Sequence, residues 1–407
     1  MSAGVVTRWS RRFVAASAVF LVAWQVVALA DASGALAGTV PAVPGRTQVT
    51  LAVYGFVLHT VFGKAYSLVP SYFDRSLALP RAPAVHLPLT VVGAVGLALA
   101  PLGGVPGLVG VLGALSWFAG VAVFAAALGW TLRTNPTGRE TGTSDANAHR
   151  RGVDRLSNAF VPVVLAYLVV GSYATVAERS ALGLPGFATL GPARTAHLLA
   201  AGTAALLIFA VGFRLFPRFL VASPPTPLVG VVLAAGAVGP AVLAAGLYRP
   251  PLFGVGAALE ALAVVGFALA YAVLFARSER RRVGFYAVLA GTAAGVCGVA
   301  LGVGFAVGHL AVAPELTATH FRLNVLGFLG LTIVGATYQF YPPTVGTFPG
   351  ASDRTALASV VLLAGGLLAE LGGALGGWKI AVLAGRASAL VGALAFAGLV
   401  VGVFAER

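Results

Sequence analysis

The sequence is poor in charge and in cysteine. Only 9% of its 407 residues are charged, while 59% are hydrophobic. A soluble domain carries roughly 25% charged residues, so a chain this apolar has no polar shell to present to water. Its single cysteine, Cys297, stands inside an apolar run. That excludes disulfides, thiolate metal cages and a Cys-x-x-Cys-His haem attachment. No Asn-x-Ser/Thr acceptor is usable, because Asn135 is followed by Pro136. The net charge of +14 does not indicate nucleic acid. The basic residues cluster at the ends of apolar runs rather than on one polar face, and no recognition motif accompanies them.

What the sequence does contain is a series of apolar runs near 20 residues long, parted by short polar breaks. Such a run crosses the ~30 Å hydrocarbon layer as a helix. Twelve helices are predicted, at 13–30, 47–70, 85–104, 107–132, 157–177, 195–216, 226–247, 252–276, 284–308, 319–341, 355–375 and 380–404. The first, preceded by Arg8, Arg11 and Arg12 and ending in Ala28-Leu29-Ala30, resembles a signal peptide. Its apolar stretch exceeds a signal core of about 7–15 residues, and a retained helix is expected.

With the N-terminus placed in the cytoplasm, 18 basic residues fall in inside segments, 5 in outside segments and 3 within helices. This is the positive-inside asymmetry. It predicts a multi-pass protein of the cytoplasmic (plasma) membrane, with both termini cytoplasmic and the lipid bilayer as its first partner. The polar stretch Arg133 to Arg155 reads as a flexible cytoplasmic linker. No soluble domain is evident.

Helices two, six and ten share a register. Counting back from Pro70, Pro217 and Pro342, each has an aromatic at four (Tyr66, Phe213, Tyr338), a small residue at seven (Gly63, Ala210, Gly335) and a glycine at fifteen (Gly55, Gly202, Gly327). Lipid solvation alone requires no such register. It implies three four-helix units at 13–132, 157–276 and 284–404, with 133–156 as the linker. Helix nine carries GxxxG spacings at Gly291–Gly295, Gly298–Gly302 and Gly304–Gly308, read as packing devices.

Ionisable groups inside a membrane are costly, and each is a functional candidate. Of six histidines, His149 belongs to the linker and His86 to an interface. His197 and His320 open helices six and ten on the outer side, and His309 closes helix nine there. His59 lies near mid-membrane. Imidazole binds haem iron and copper through its neutral nitrogen, so His320, His197 and His309 are candidate metal ligands and His59 a further cofactor contact. The alternative for each is a hydrogen bond to a neighbouring helix or the interface. Lys64, Arg386, Glu260 and Glu370 need partners, the glutamates acting as proton relays or answering the bases. Arg322 and Lys379 are candidates to neutralise an anion such as a haem propionate.

Thr319-His320-Phe321-Arg322, with Gly327 and the run Tyr338-Gln339-Phe340-Tyr341-Pro342, resembles helix ten of the haem-copper oxidase catalytic subunit. Gly63 to Pro70 followed by Leu79-Pro80-Arg81 resembles that family's second helix. His197, Gly202, Ala210, Val211 and Arg214 are similar to a helix of NnrS-type haem- and copper-containing membrane proteins. The resemblance implies an all-α polytopic fold of twelve helices in three four-helix repeats, like oxidase subunit I. Its motifs cover three helices.

The departures are as informative. His320 matches the high-spin haem ligand of that family, but Arg322 stands where a low-spin ligand is expected. The other low-spin position falls near Thr47, and the copper-site His-Pro-Glu-Val-Tyr and His-His motifs are missing. An oxygen-reducing, proton-pumping enzyme is therefore not expected. The expectation is one haem b or copper near the outer face, serving redox chemistry, gas sensing or nitrosative-stress tolerance, with other respiratory or redox membrane subunits as partners. The alternatives are a small-solute transporter and a cofactor-free subunit of a larger complex. The polar groups His59, Lys64 and Glu260 should converge if the chain is a transporter.

Overall fold

In lipid, a spanning chain has to satisfy its backbone polar groups within itself, which leaves helices or closed barrels. The computed structural model, which describes residues 2–37, 43–179 and 190–406, contains helices and no strand among them. Twelve helices are long and apolar enough to cross a membrane: α1 (Gly4–Ala37), α2 (Gly45–Tyr72), α3 (Ala82–Leu99), α4 (Gly107–Leu132), α5 (Asp145–Arg179), α6 (Pro192–Leu220), α7 (Thr226–Gly246), α8 (Leu252–Arg277), α9 (Val283–Ala306), α10 (Pro314–Val345), α11 (Asp353–Gly376) and α12 (Lys379–Ala405). The chain is an all-helical, multi-pass membrane protein.

Three helices form the centre. In α2, α6 and α10, 89%, 78% and 78% of the apolar stretch is buried, against 39–50% in the other nine. These three touch one another. Around them α12 packs back on α1, as α4 packs on α5 and α8 on α9, so the outer helices close a ring. The central helices run in one direction. Their starts carry His197 and His320 and their ends carry Pro70, Pro217 and Pro342, which define a histidine end and a proline end of the bundle.

Each central helix contains a π-helical segment: Thr50–Leu58 in α2, Leu198–Ala205 in α6 and Leu323–Leu331 in α10. The segments begin 19 or 20 residues ahead of the respective proline. A π turn carries one extra residue and splays its carbonyls, and such turns recur at functional sites. The glycines at fifteen all face the preceding helix. A Cβ on Gly55 would meet Phe20 of α1 at 2.5 Å, one on Gly202 would meet Tyr167 of α5 at 2.5 Å, and one on Gly327 would meet Ala294 of α9 at 2.5 Å. Close approach of paired helices is what glycine supplies there.

At the proline end the segment read as a flexible linker is docked. Asp154 is 1% exposed and takes ion pairs from Arg218 at 2.6 Å and Arg214 at 3.6 Å, together with the Thr143 hydroxyl. Arg214 also donates to Asn158 Oδ1 and to the Tyr72 carbonyl. Composition suggested looseness; two arginines on α6 supply the partners that pin it. At the same end Glu406 accepts from the Thr347 N–H and hydroxyl, both at 2.8 Å, and those bonds hold its carboxyl below the usual range.

Candidate functional site

The central helices wall two cavities. The larger, about 420 Å³, lies at the histidine end and is bounded by α2, α3, α5, α6, α7, α8, α9 and α10. His197 and His320 both line it. Their ring centroids are 6.5 Å apart with planes tilted by 31°. Each side chain is set by its backbone. His197 is the last residue before the π segment of α6, in a turn opened by Pro192, and His320 stands three residues before that of α10, in a turn opened by Pro314. Proline at the first turn costs no hydrogen bond.

Both imidazoles are held in one tautomer. His197 Nδ1 donates to the Ala193 carbonyl at 2.7 Å, and His320 Nδ1 donates to the Gly298 carbonyl at 2.8 Å. A carbonyl only accepts, so the proton sits on Nδ1 and the Nε2 lone pair is left for the cavity. Metal-binding histidines are commonly fixed in this way. Space for His320 comes from α9: a Cβ on Gly302 would lie 2.9 Å from its Cε1, and one on Gly298 would lie 2.6 Å from the Asn324 amide. These glycines were read as packing devices; they also seat the ring.

Of the other polar groups on the wall, Glu260 was a candidate from sequence and the rest were not. Tyr54 bonds Thr175 through their hydroxyls at 2.7 Å, and Glu178 accepts from Thr195 at 2.5 Å. Arg46 and Arg179 line the mouth with Glu178. Glu260, 9% exposed, lines the wall with Oε1 unbonded. Among the described residues no three His, Cys, Asp or Glu side chains come together as a metal cage.

The other candidates lie elsewhere. His59 donates from Nδ1 to the Tyr54 carbonyl at 2.8 Å, and its ring is boxed by Phe13, Phe20, Phe62 and Trp117. It belongs to an aromatic cage between α1, α2 and α4, shared with His86, and lines neither cavity. His309 is exposed in the turn after α9 and does not line the chamber. Lys379 is exposed at the start of α12.

Arg322 turns away from the chamber into a buried network. It donates to Glu370 at 2.5 and 2.8 Å and to Gln25 at 2.9 Å, and Glu370 lies 3.7 Å from Arg386, which in turn pairs with Asp31 at 3.2 Å. The carboxylate that answers Arg322 is thus the protein's own, and no charge is left over for an outside anion.

The smaller cavity, about 90 Å³, lies toward the proline end on the same three helices and is lined by Thr60, Lys64, Ile208, Thr332 and Phe340 among others. Lys64 donates to the Tyr341 hydroxyl at 2.9 Å and rests over the Phe340 and Tyr341 rings. Along α6 the two linings are two residues apart (Ala205, Leu207), along α10 three (Leu329, Thr332) and along α2 six (Tyr54, Thr60). One layer of side chains separates them. His59, Lys64 and Glu260 therefore occupy three different places and do not converge.

The chain matches no protein-family model, and no curated protein is detectably similar to it in sequence.

Proposed function

We propose that the chain is a divergent relative of the haem-copper oxidase and NnrS-type proteins whose chamber holds one haem b or a metal ion. His320 is the first ligand and His197 the second. One observation carries the reading: two histidines 123 residues apart in sequence face one chamber, each with Nδ1 tied to a carbonyl and Nε2 free. The donor set fits a macrocycle better than a bare ion. A porphyrin brings four nitrogens of its own and needs only one or two protein ligands, whereas a protein-held zinc or copper takes three or four.

When bound, a haem would supply a one-electron centre that also takes diatomic gases. The chain's own residues fix the imidazole tautomers and present a largely apolar wall. The role is redox chemistry, gas sensing or tolerance of reactive nitrogen species, with another redox membrane subunit as electron partner. Oxygen reduction is not proposed, because Arg322, at the position of a second haem ligand, is paired to Glu370.

Three glycines against preceding helices, three π segments in one register and a closed outer ring support a tripled four-helix unit as part of this reading. The arginine-rich proline end is assigned to the cytoplasm by the positive-inside rule. The chamber then faces the outside of the plasma membrane.

The test is optical. Protein purified from haem-replete cells should show a Soret band that His320→Ala removes or shifts. A colourless, metal-free preparation sinks the proposal. A second reading, a small-solute transporter, draws support from the two stacked cavities, and it requires solute flux in vesicles holding colourless protein.

A further inference from the structure

The mouth of the chamber carries two cations that share the field of one carboxylate. Arg46 opens α2 and Arg179 ends α5, and both line the cavity. Among the described residues neither guanidinium makes a hydrogen bond or an ion pair. Glu178, the one acid beside them, accepts from the Thr195 hydroxyl and lies outside ion-pair distance of both. Two cations and one carboxylate leave the mouth positive, above walls built from residues such as Leu243, Val264 and Phe328.

An apolar chamber with a cationic rim suits a ligand with an apolar body and an anionic end. We propose that Arg46 and Arg179 bind the carboxylate of an amphipathic ligand seated in the chamber. This gives the rim the role that the sequence assigned to Arg322. The inference rests on the chamber being a ligand site, as above, and not on the ligand being a haem. Tetrapyrrole propionates and the head of a long-chain fatty acid share this chemistry.

The experiment uses the full-length protein in nanodiscs and two pairs of probes: hemin against its dimethyl ester, and oleate against methyl oleate. Binding is read by quenching of tryptophan fluorescence and, for the hemin pair, by the Soret band. Hydrogen bonds to ionised groups are roughly twice as strong as neutral ones, so the acid should outbind its ester by about tenfold or more in at least one pair. The double variant Arg46→Gln with Arg179→Gln should bring that ratio to about one, and the lysine pair should restore part of it. Salt should erode the preference, because the rim is partly solvated.

The two proposals fail differently. If hemin gives no Soret band but oleate binds with an arginine-dependent preference, the haem reading falls and this inference stands. If a Soret band forms and acid and ester bind equally, the haem reading stands and this inference falls. An unchanged preference in the glutamine variant, or no binding by any probe, also overturns it.

Discussion

A histidine whose Nδ1 donates to a main-chain carbonyl keeps its other nitrogen bare, and in the chamber that arrangement depends on a neighbouring residue having no side chain. Gly302 is the sharpest case. A methyl group there would sit 2.9 Å from the His320 ring, so Gly302→Ala should displace the imidazole and lose or shift the Soret band while the protein stays folded. Gly365 of α11 has nothing within 4 Å of its Cβ position, and Gly365→Ala should leave the band unchanged. Glu370 is a stability residue. Removing one partner of a buried ion pair costs about 3–5 kcal/mol, so Glu370→Ala should lower the thermal midpoint in detergent sharply, because Arg322 loses its only carboxylate while Arg386 keeps Asp31. His197 and His320 stood out in the sequence because imidazoles are rare in such a chain and these two open helices that share a glycine-proline register. The fate of Arg322 was not legible, since its partner lies 48 residues away on another helix. Arg46 and Arg179 were hidden in ordinary loop ends, where arginine usually marks only the membrane surface.

Helix positions were readable because the length of an apolar run reports the thickness of the layer it crosses. α4 spans the predicted residues, and most other bounds moved by a few residues. α1 and α5 extend much further, since polar residues beyond the lipid-like stretch continue the helix. The π segments left no mark in the sequence: a wide turn is made from the same leucines, valines and glycines as a regular one. They set the azimuth of whatever precedes them. Deleting Val325 from the α10 segment should let it close to regular α-helix and change the rise and azimuth of His320 relative to the rest of the helix. Helical content by circular dichroism should be retained while ligand binding in the chamber is lost. A deletion variant that binds as wild type would show that the wide turn does not aim the histidine. The docked segment around Asp154 teaches the complementary lesson, that polar composition predicts solvent contact only when no distant arginine competes for it.

At the scale of the whole molecule, ring closure makes the chain's beginning and end neighbours. α12 lies on α1, and both the start of α1 and the end of α12 lie at the proline end. A chain permuted by joining residue 406 to residue 4 through a flexible linker and opened in the polar turn Ser278 to Arg282 breaks no helix. It should purify as a monodisperse species with a thermal midpoint within a few degrees of the parent. Aggregation of that permutant, with the same joint tolerated when the chain is opened elsewhere, would show that α8 and α9 cannot be parted.

The wall between the two stacked cavities is roughly 3–9 Å deep at a helical rise of about 1.5 Å per residue. Water entering either cavity would carry the bulk potential inward with it. The bilayer's voltage would then fall across that thin slab rather than across the full hydrocarbon thickness. With both cavities wetted, a unit charge shifted through the slab would feel nearly all of the ~2.3 kcal/mol that 100 mV provides, and the centre of this bundle would be where the protein couples most strongly to the membrane's electric field.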